Sequence, residues 1–591
     1  MLMVWIFPFA MHRVNCIKKG LILLNYKILG DGSYDTPLET FLENRGIKDI
    51  NDYINVSEDI LIPYQNLDNI DKAVEVYKSH IENNSNITII VDCDVDGYTS
   101  ASMIYAYTKN LNPECKLTYL LHTGKQHGLT DDIEIPEDTQ LLIIPDAGTN
   151  DTEQCKALKD KGIDIIILDH HEREIDNPYA IVVNNQCSLK YDNKNLCGAG
   201  IVYKFLQAVD EDMWCDEADD YLDLVALANI SDNMDMKEPE TKYLVSKGLD
   251  FISNAFFEEM LKKQSYYFPD GTTIIGVQFY ITPLINALIR IGSQEEKDIL
   301  FRAFIGDESE TFDYTKPRTK EQIKENIYER AVRFCSNAKG RQKTIVDKQL
   351  PLIINHIKNK GQDKHEVIIT NVTDYIESTM TGVVAIKVAG AFHKPTILLR
   401  DRGNDLYGGS VRVPDTSPIE NFKNMLNTMT FFSAQGHASA CGAEIFKHNI
   451  KESIEFLDDY IQEMNLVDVG DIPVDFEIDY NDLDISLFRD IAELKPYYAT
   501  GLKECNVLVK NIPINADDVI IQGKGQDTWC TMICDESIKL IKFKCPEDDV
   551  FLDAQGLYKI NVIGKFGYSF FNGIKTAQII IEDYEVIWED D

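Results

Sequence analysis

The chain is poor in positive charge. Its 58 lysines and arginines face 97 aspartates and glutamates, a formal net charge of −39. Net charge bears on solubility and non-specific binding, not on fold. Such a chain holds a polyanion only if its few cations line one groove, or if metal ions supply positive charge locally. Otherwise the surplus is a solvated acidic surface, suited to a salty cell or a basic partner. Paired cysteines are also missing. The 13 cysteines include no C-x-x-C pair and no regular framework, which reads as reduced thiols in a cytoplasmic compartment. Long uncharged apolar runs are absent. The start, MLMVWIFPFAM, is apolar but has no basic residues before it. It is shorter than the roughly 20 residues a spanning helix needs. It reads as a packed N-terminal segment or a mis-assigned start, and the protein as soluble, with no membrane partner. Internal repeats and low-complexity linkers are lacking too.

What is present is a chain of 591 residues, 44% of them hydrophobic, enough for ordinary cores throughout. At roughly 100–200 residues per domain, three to five domains are expected. From about residue 87, short β-branched runs alternate with helical stretches, which predicts βαβ units and a parallel sheet. Ile87–Val91 runs into Asp92, Leu141–Ile144 into Pro145-Asp146, and Ile163–Leu168 into Asp169-His170-His171. Ligands of open parallel sheets sit beyond the carboxyl ends of the strands, where all three acidic clusters fall. Residues 317–347 are charged with apolar positions at helical spacing, predicting a long connecting helix. A second α/β unit follows from about 365 to 465, with strand candidates Glu366–Ile369 and Thr396–Leu399. After Gly470, short alternating runs such as Ile538–Phe543 predict a small β-barrel or sandwich.

The first chemical motif is Asp92-Cys93-Asp94-Val95-Asp96-Gly97. Three carboxylates in five residues repel one another unless cations neutralise them, and hard oxygen donors suit Mg²⁺ or Mn²⁺. A calcium loop opens the same way but needs a bidentate Glu at its twelfth position. That position is Met103, and a strand rather than a helix precedes the motif. The second motif is Asp146-Ala147-Gly148, which alone reads equally as a turn. The third is Asp169-His170-His171, whose adjacent rings point different ways, one free for metal and one for substrate. The fourth is an apolar helical stretch from Asp223 closing on Asp232. Nitrogen and oxygen donors together favour Mn²⁺ over Ca²⁺.

The joint order, D-x-D-x-D-G, D-x-G, D-H-H, then an acid after D-L-V-A-L, resembles the DHH phosphoesterase superfamily. Further segments are similar to its RecJ-type nucleases. These are Phe41–Gly46, Cys197-Gly198-Ala199-Gly200, Pro283–Arg290, Gly409-Ser410-Val411-Arg412, Gly436–Gly442 and Leu494-Lys495-Pro496-Tyr497. The resemblance runs from about residue 36 to the C-terminus. It implies an N-terminal segment over 1–35, a DHH domain over 36–315 and a connecting helix over 316–360. A DHH-associated domain over 361–468 and an OB-fold-like domain over 469–591 would follow.

It also implies two-metal hydrolysis of phosphodiester bonds as a 5′→3′ exonuclease on single-stranded DNA. Asp92, Asp94, Asp146, His170 and Asp232 would hold two Mn²⁺ or Mg²⁺, with Asp146 as the bridge. Asp96 would be a further ligand or support, His171 would contact the scissile phosphate, and Asp169 would orient a histidine. Ser410, Arg412, Arg290, Asn286, Gly436, His437, His122 and Lys125 would bind substrate. Tyr497, Tyr498, Phe566, Tyr568, Phe570 and Phe571 would be stacking partners or barrel core. Departures from the family pattern include Cys93 for an aromatic, Leu284 and His122 for arginines, Gln435 for a glycine, and Val411 and Val413. None removes a metal ligand. With few cations, DNA affinity should fall steeply with salt. Two other readings share these motifs: a DHH enzyme for short oligonucleotides or cyclic dinucleotides, and a non-catalytic replication-assembly subunit. A monomer is expected, with partners among single-strand-binding proteins, helicases and other replication or repair proteins.

Overall fold

The computed structural model describes residues 24–587 apart from 125, 131–132, 270, 415–416, 418, 420, 465–470, 523–527, 535, 544–555 and 572–573. The apolar start and Lys125 lie outside the described residues.

The β-branched runs form a five-stranded, all-parallel sheet. Its order is Lys116–Leu121, Asn86–Val91, Leu141–Pro145, Asp164–Asp169, Ile181–Asn184. The three central strands are buried almost end to end because helices cover both faces. The chain order reverses between Asn86–Val91 and Leu141–Pro145, so the switch point lies between the two strands that deliver Asp92 and Asp146.

The second α/β unit is a mixed five-stranded sheet. Its order is Phe432–Gly436, Ala440–Phe446, Leu406–Arg412, Thr396–Gly403, Ile368–Asn371. Helices Thr381–Phe392 and Ile450–Glu463 flank it.

Two expectations change. The connecting helix starts later than residue 316. A hairpin, Phe312–Thr315 with Gln322–Glu325, precedes it and turns through Lys320 at φ 60°. Asn326 then caps helix Ile327–Asn359, with Glu329 reaching back to the cap. Arg330 and Arg333 of this helix lie over Phe312 and Tyr314 and so fasten the hairpin.

Among the described residues the C-terminal strands also make no closed barrel. They form an open, mixed seven-stranded sheet from Phe476–Asp479 at one edge to Ile520–Gln522 at the other. Its centre is a long hairpin, Leu557–Phe571 with Ile574–Ile587, far longer than the short runs expected.

One buried apolar cluster joins the first sheet to this C-terminal sheet. It includes Phe41, Tyr98, Leu227, Phe476, Phe488, Leu502 and Val562. The window Ile274–Ile291 is the one stretch among the described residues long and apolar enough to cross a membrane. It is two helices, Ile274–Tyr280 and Thr282–Ile291, which pack Val277, Ile281, Ile285 and Leu288 into that cluster.

Candidate metal centre

The sheet's carboxyl edge assembles the site. Asp92 follows its strand and is 1% exposed. Asp94 caps helix Val95–Leu111, accepting from Gly97 N at 3.1 Å. Asp146 leaves its strand at φ 66°, a left-handed backbone that turns its carboxylate back toward the switch point. His170 follows Asp164–Asp169, and Asp232 ends helix Leu222–Ser231.

These side chains converge. His170 Nε2 lies 3.2 Å from Asp146 Oδ1, 3.5 Å from Asp232 Oδ2 and 3.8 Å from Asp96 Oδ2. Asp92, Asp94 and Asp146 offer a second set of oxygens within 4.8 Å of one another. Burial, then neighbouring carboxylates, drives Asp146 well above the usual range and raises Asp94 and Asp96 as well. Burial pushes Asp92 and Asp232 up too, but histidines outweigh it and leave both below the ordinary value.

Two of the expected acids are already satisfied by the protein. Asp96 accepts from the amides of Gly198 and Ala199, at 2.7 and 2.8 Å, at the start of helix Gly198–Met213. Its carboxylate anchors that helix. Asp169 accepts from Thr149 N, from its own neighbours' amides, and from His171 Nδ1 at 2.8 Å. Burial lowers His171, but Asp169 outweighs that and holds it up to about 9, so it stands as a cation at the pocket mouth. By contrast Asp146 Oδ1 and Asp232 Oδ2 are buried without any hydrogen-bond partner. A buried orphan oxygen is costly unless something fills the space before it. Carboxylates with one imidazole fit Mn²⁺ or Mg²⁺.

The second α/β unit reaches over the pocket. His437, after Gly436 at the end of strand Phe432–Gly436, sets Nε2 3.6 Å from Asp232 Oδ1. Ser410 and Arg412 lie on strand Leu406–Arg412. Burial and then the nearby Arg290 pull Arg412 down to about 10. Arg290 is itself half-buried near Asp94, and Asn286 on the same helix has a buried, unpartnered Oδ1. His122 is buried against Asp92 at 3.7 Å rather than standing out toward a strand end.

Sequence reasoning missed His127, whose Nδ1 is 2.5 Å from Asp92 Oδ2. Gly128 N donates to the other oxygen at 3.0 Å. A histidine before a glycine was the only local signal. The aromatics offered for stacking divide. Tyr498 is buried edge-on to Phe41 and Phe566 stacks on Phe488, so both are core. Tyr568 also packs on Phe488, while Tyr497 and Phe570 are half-buried. The side chain of Phe571 lies outside the described residues.

Residues 86–229 match the family described as "DHH family, N-terminal domain". Over 572 residues the chain is 37% identical to a protein named as a single-strand DNA-specific exonuclease, YorK, of SPbeta prophage origin in Bacillus subtilis (strain 168). That alignment covers 95% of this chain and 98% of the relative. The chain belongs to the RecJ-type branch of the DHH family. RecJ of the same organism is 23% identical over 528 residues, spanning 87% of this chain and 63% of that one. The RecJ fold is shared with the Mn²⁺ complex of RecJ from Thermus thermophilus, at TM-score 0.70 and 17% identity over 95% of this chain and 79% of that one. In this RecJ-type chain, Asp232 lies just beyond the matched 86–229.

Proposed function

We propose that the chain hydrolyses single-stranded DNA from an end, 5′→3′, using two divalent cations, Mn²⁺ or Mg²⁺. The observation that carries the reading is the pair of orphaned buried oxygens, Asp146 Oδ1 and Asp232 Oδ2, facing His170 Nε2 at 3.2 and 3.5 Å. Asp92, Asp94, Asp146, His170 and Asp232 would hold the ions. When bound, these supply Lewis acidity toward the phosphodiester and a lowered pKa for the attacking water.

The chain's own groups do the rest. Asp146 spans both donor sets and so sits between them. His171, kept protonated by Asp169, donates to a non-bridging phosphate oxygen at the pocket mouth. Arg412 and Ser410 on the facing wall, with Arg290 of the first unit beside them, bind the strand's phosphates, and His437 closes the pocket above Asp232. Residues 36–315 form the chemical half of the molecule, and 361–468 with 469–591 the substrate-holding half. The kinship to proteins named single-strand DNA-specific exonucleases supports the substrate class.

The test is digestion of 5′- and 3′-labelled single strands, dinucleotides and cyclic dinucleotides with Mn²⁺. Mononucleotide release from the 5′ end, lost in Asp146→Ala, is expected. Hydrolysis confined to the small substrates, or equal rates for wild type and variant, would overturn the reading.

A further inference from the structure

The pocket has a second rim that the roles above do not use. Cys93 follows Asp92 in the chain and is buried. Its Sγ lies 3.7 Å from His127 Nε2 and 3.8 Å from Nδ1. The same Nδ1 is 2.5 Å from Asp92 Oδ2. A thiol, an imidazole and a carboxylate thus present one donor atom each within 4.8 Å of the others. Among the described residues it is the one such group that contains a cysteine. The His127 side chain is 49% exposed at the pocket mouth, which gives both room to move and a route in from solvent.

The donor set selects an ion different from the one argued for the main pocket. Mg²⁺ and Mn²⁺ prefer oxygen, whereas thiolate with imidazole suits zinc-class ions. With a Zn–S bond of about 2.3 Å and a Zn–N bond of about 2.0–2.1 Å, tetrahedral geometry separates S and N by about 3.6 Å. Nδ1, the nitrogen facing Asp92, stands 3.8 Å from Sγ, near that value, and the ring must turn so that Nε2, now 3.7 Å from Sγ, swings clear. The carboxylate–imidazole pair must open by somewhat less than 1 Å, which the half-exposed ring can provide. A solvent molecule would complete four-coordination, as in open zinc sites. Binding deprotonates the thiol and removes the hydrogen shared by Asp92 and His127, and these protons go to solvent.

We propose that Asp92, Cys93 and His127 form a second, thiolate-containing site for a zinc-class ion, and that filling it arrests hydrolysis. Arrest follows because the Asp92 oxygen that His127 holds is drawn onto the second ion, away from Asp94 and Asp146, whose oxygens lie within 4.8 Å of Asp92. The binding half rests on geometry alone. The arrest half rests on Asp92 acting as a metal ligand in the proposed function.

The test uses the full-length protein stripped of metal, with Co²⁺ as the probe. A near-ultraviolet thiolate-to-cobalt charge-transfer band is expected in wild type and absent in Cys93→Ser. Cobalt held only by carboxylates and His170 gives no such band. Under saturating Mn²⁺, the Zn²⁺ concentration giving half-inhibition should rise about tenfold or more in Cys93→Ser, with the zinc-free rate unchanged. Should Cys93→Ser lose its cooperative melt, Cys93→Ala serves in both assays. No band in wild type, an equal band in the variant, or equal zinc sensitivity overturns the proposal. If wild type with Mn²⁺ leaves single-stranded DNA intact, the functional reading fails, and the cobalt spectrum still decides whether the site exists.

Discussion

Asp96 and Asp146 show how much one residue's surroundings matter. Both are buried acids next to His170, and by sequence both could hold metal. Asp96 spends its oxygens on the amides of Gly198 and Ala199, whereas Asp146 keeps Oδ1 bare. Gly198 links the two. Its amide binds Asp96, and a Cβ there would run into Asp146 Oδ1 and stand 2.8 Å from Asp146 Cα. Gly198→Ala should therefore displace Asp146 while leaving the helix able to form. We expect the rise in Tm that Mn²⁺ gives wild type to fall by half or more in this variant, measured by differential scanning fluorimetry across a metal titration. An unchanged shift would show that Asp146 can yield without consequence. That Asp92, Asp146 and His170 come together at one edge was legible because each follows a β-branched run, and strand ends in a parallel sheet share one edge. His127 was not, because a loop folding back over Asp92 leaves no periodicity in the chain.

At the scale of elements, the loop after helix Leu222–Ser231 is what keeps Asp232 in place. Met236 N donates to Thr500 O at 3.0 Å, and Tyr53 OH donates to Met236 O at 2.9 Å. Gln278 Nε2 bridges Asn233 Oδ1 at 2.7 Å and Thr500 Oγ1 at 3.2 Å. Gly501, at φ 83°, packs so closely on Asp235 that a Cβ would meet its carboxylate. Partners that orient a metal ligand change metal affinity or activity by roughly 10–100-fold. Gln278→Ala should weaken Mn²⁺ binding about tenfold, read by electron paramagnetic resonance of free Mn²⁺, with KM for DNA unchanged.

The connecting helix makes a second prediction. Burial, then Lys387 and Arg290, pulls Lys339 down to about 8. Lys339 lies close enough to Arg290, which is proposed to bind a strand phosphate, to feel its charge; that phosphate would favour the charged form of Lys339, so above pH 8 binding takes up a proton. The Kd for labelled single-stranded DNA in Ca²⁺ should rise several-fold from pH 7 to 9 in wild type and stay flatter in Lys339→Met. The helix itself was legible from its apolar spacing, but its start was not. The hairpin before it pairs strands of four residues, too short for an alternating pattern to stand out.

Taken whole, the molecule is held together across its length. Arg45, from the segment that resembled a family leader, grips Asp475 at 2.5 and 3.1 Å and Lys503 O at 2.7 Å. Phe41 packs on Tyr498 in the shared core. A chain ending at residue 464 exposes that core, so its Tm should drop by more than about 10 °C or it should aggregate. A truncated chain with wild-type Tm would show that the parallel sheet stands alone. The sequence by itself determined the parallel sheet, the acids at its carboxyl edge and the family, because strand periodicity and motif spacing are local properties of the chain. Only the tertiary structure decided which acids keep bare oxygens, which aromatics are core, that the C-terminal strands stay an open sheet, and that His127 lies against Asp92. Those outcomes depend on burial and on hydrogen bonds between residues 430 and more positions apart, such as Arg45 with Asp475 and with Lys503, which no local pattern encodes.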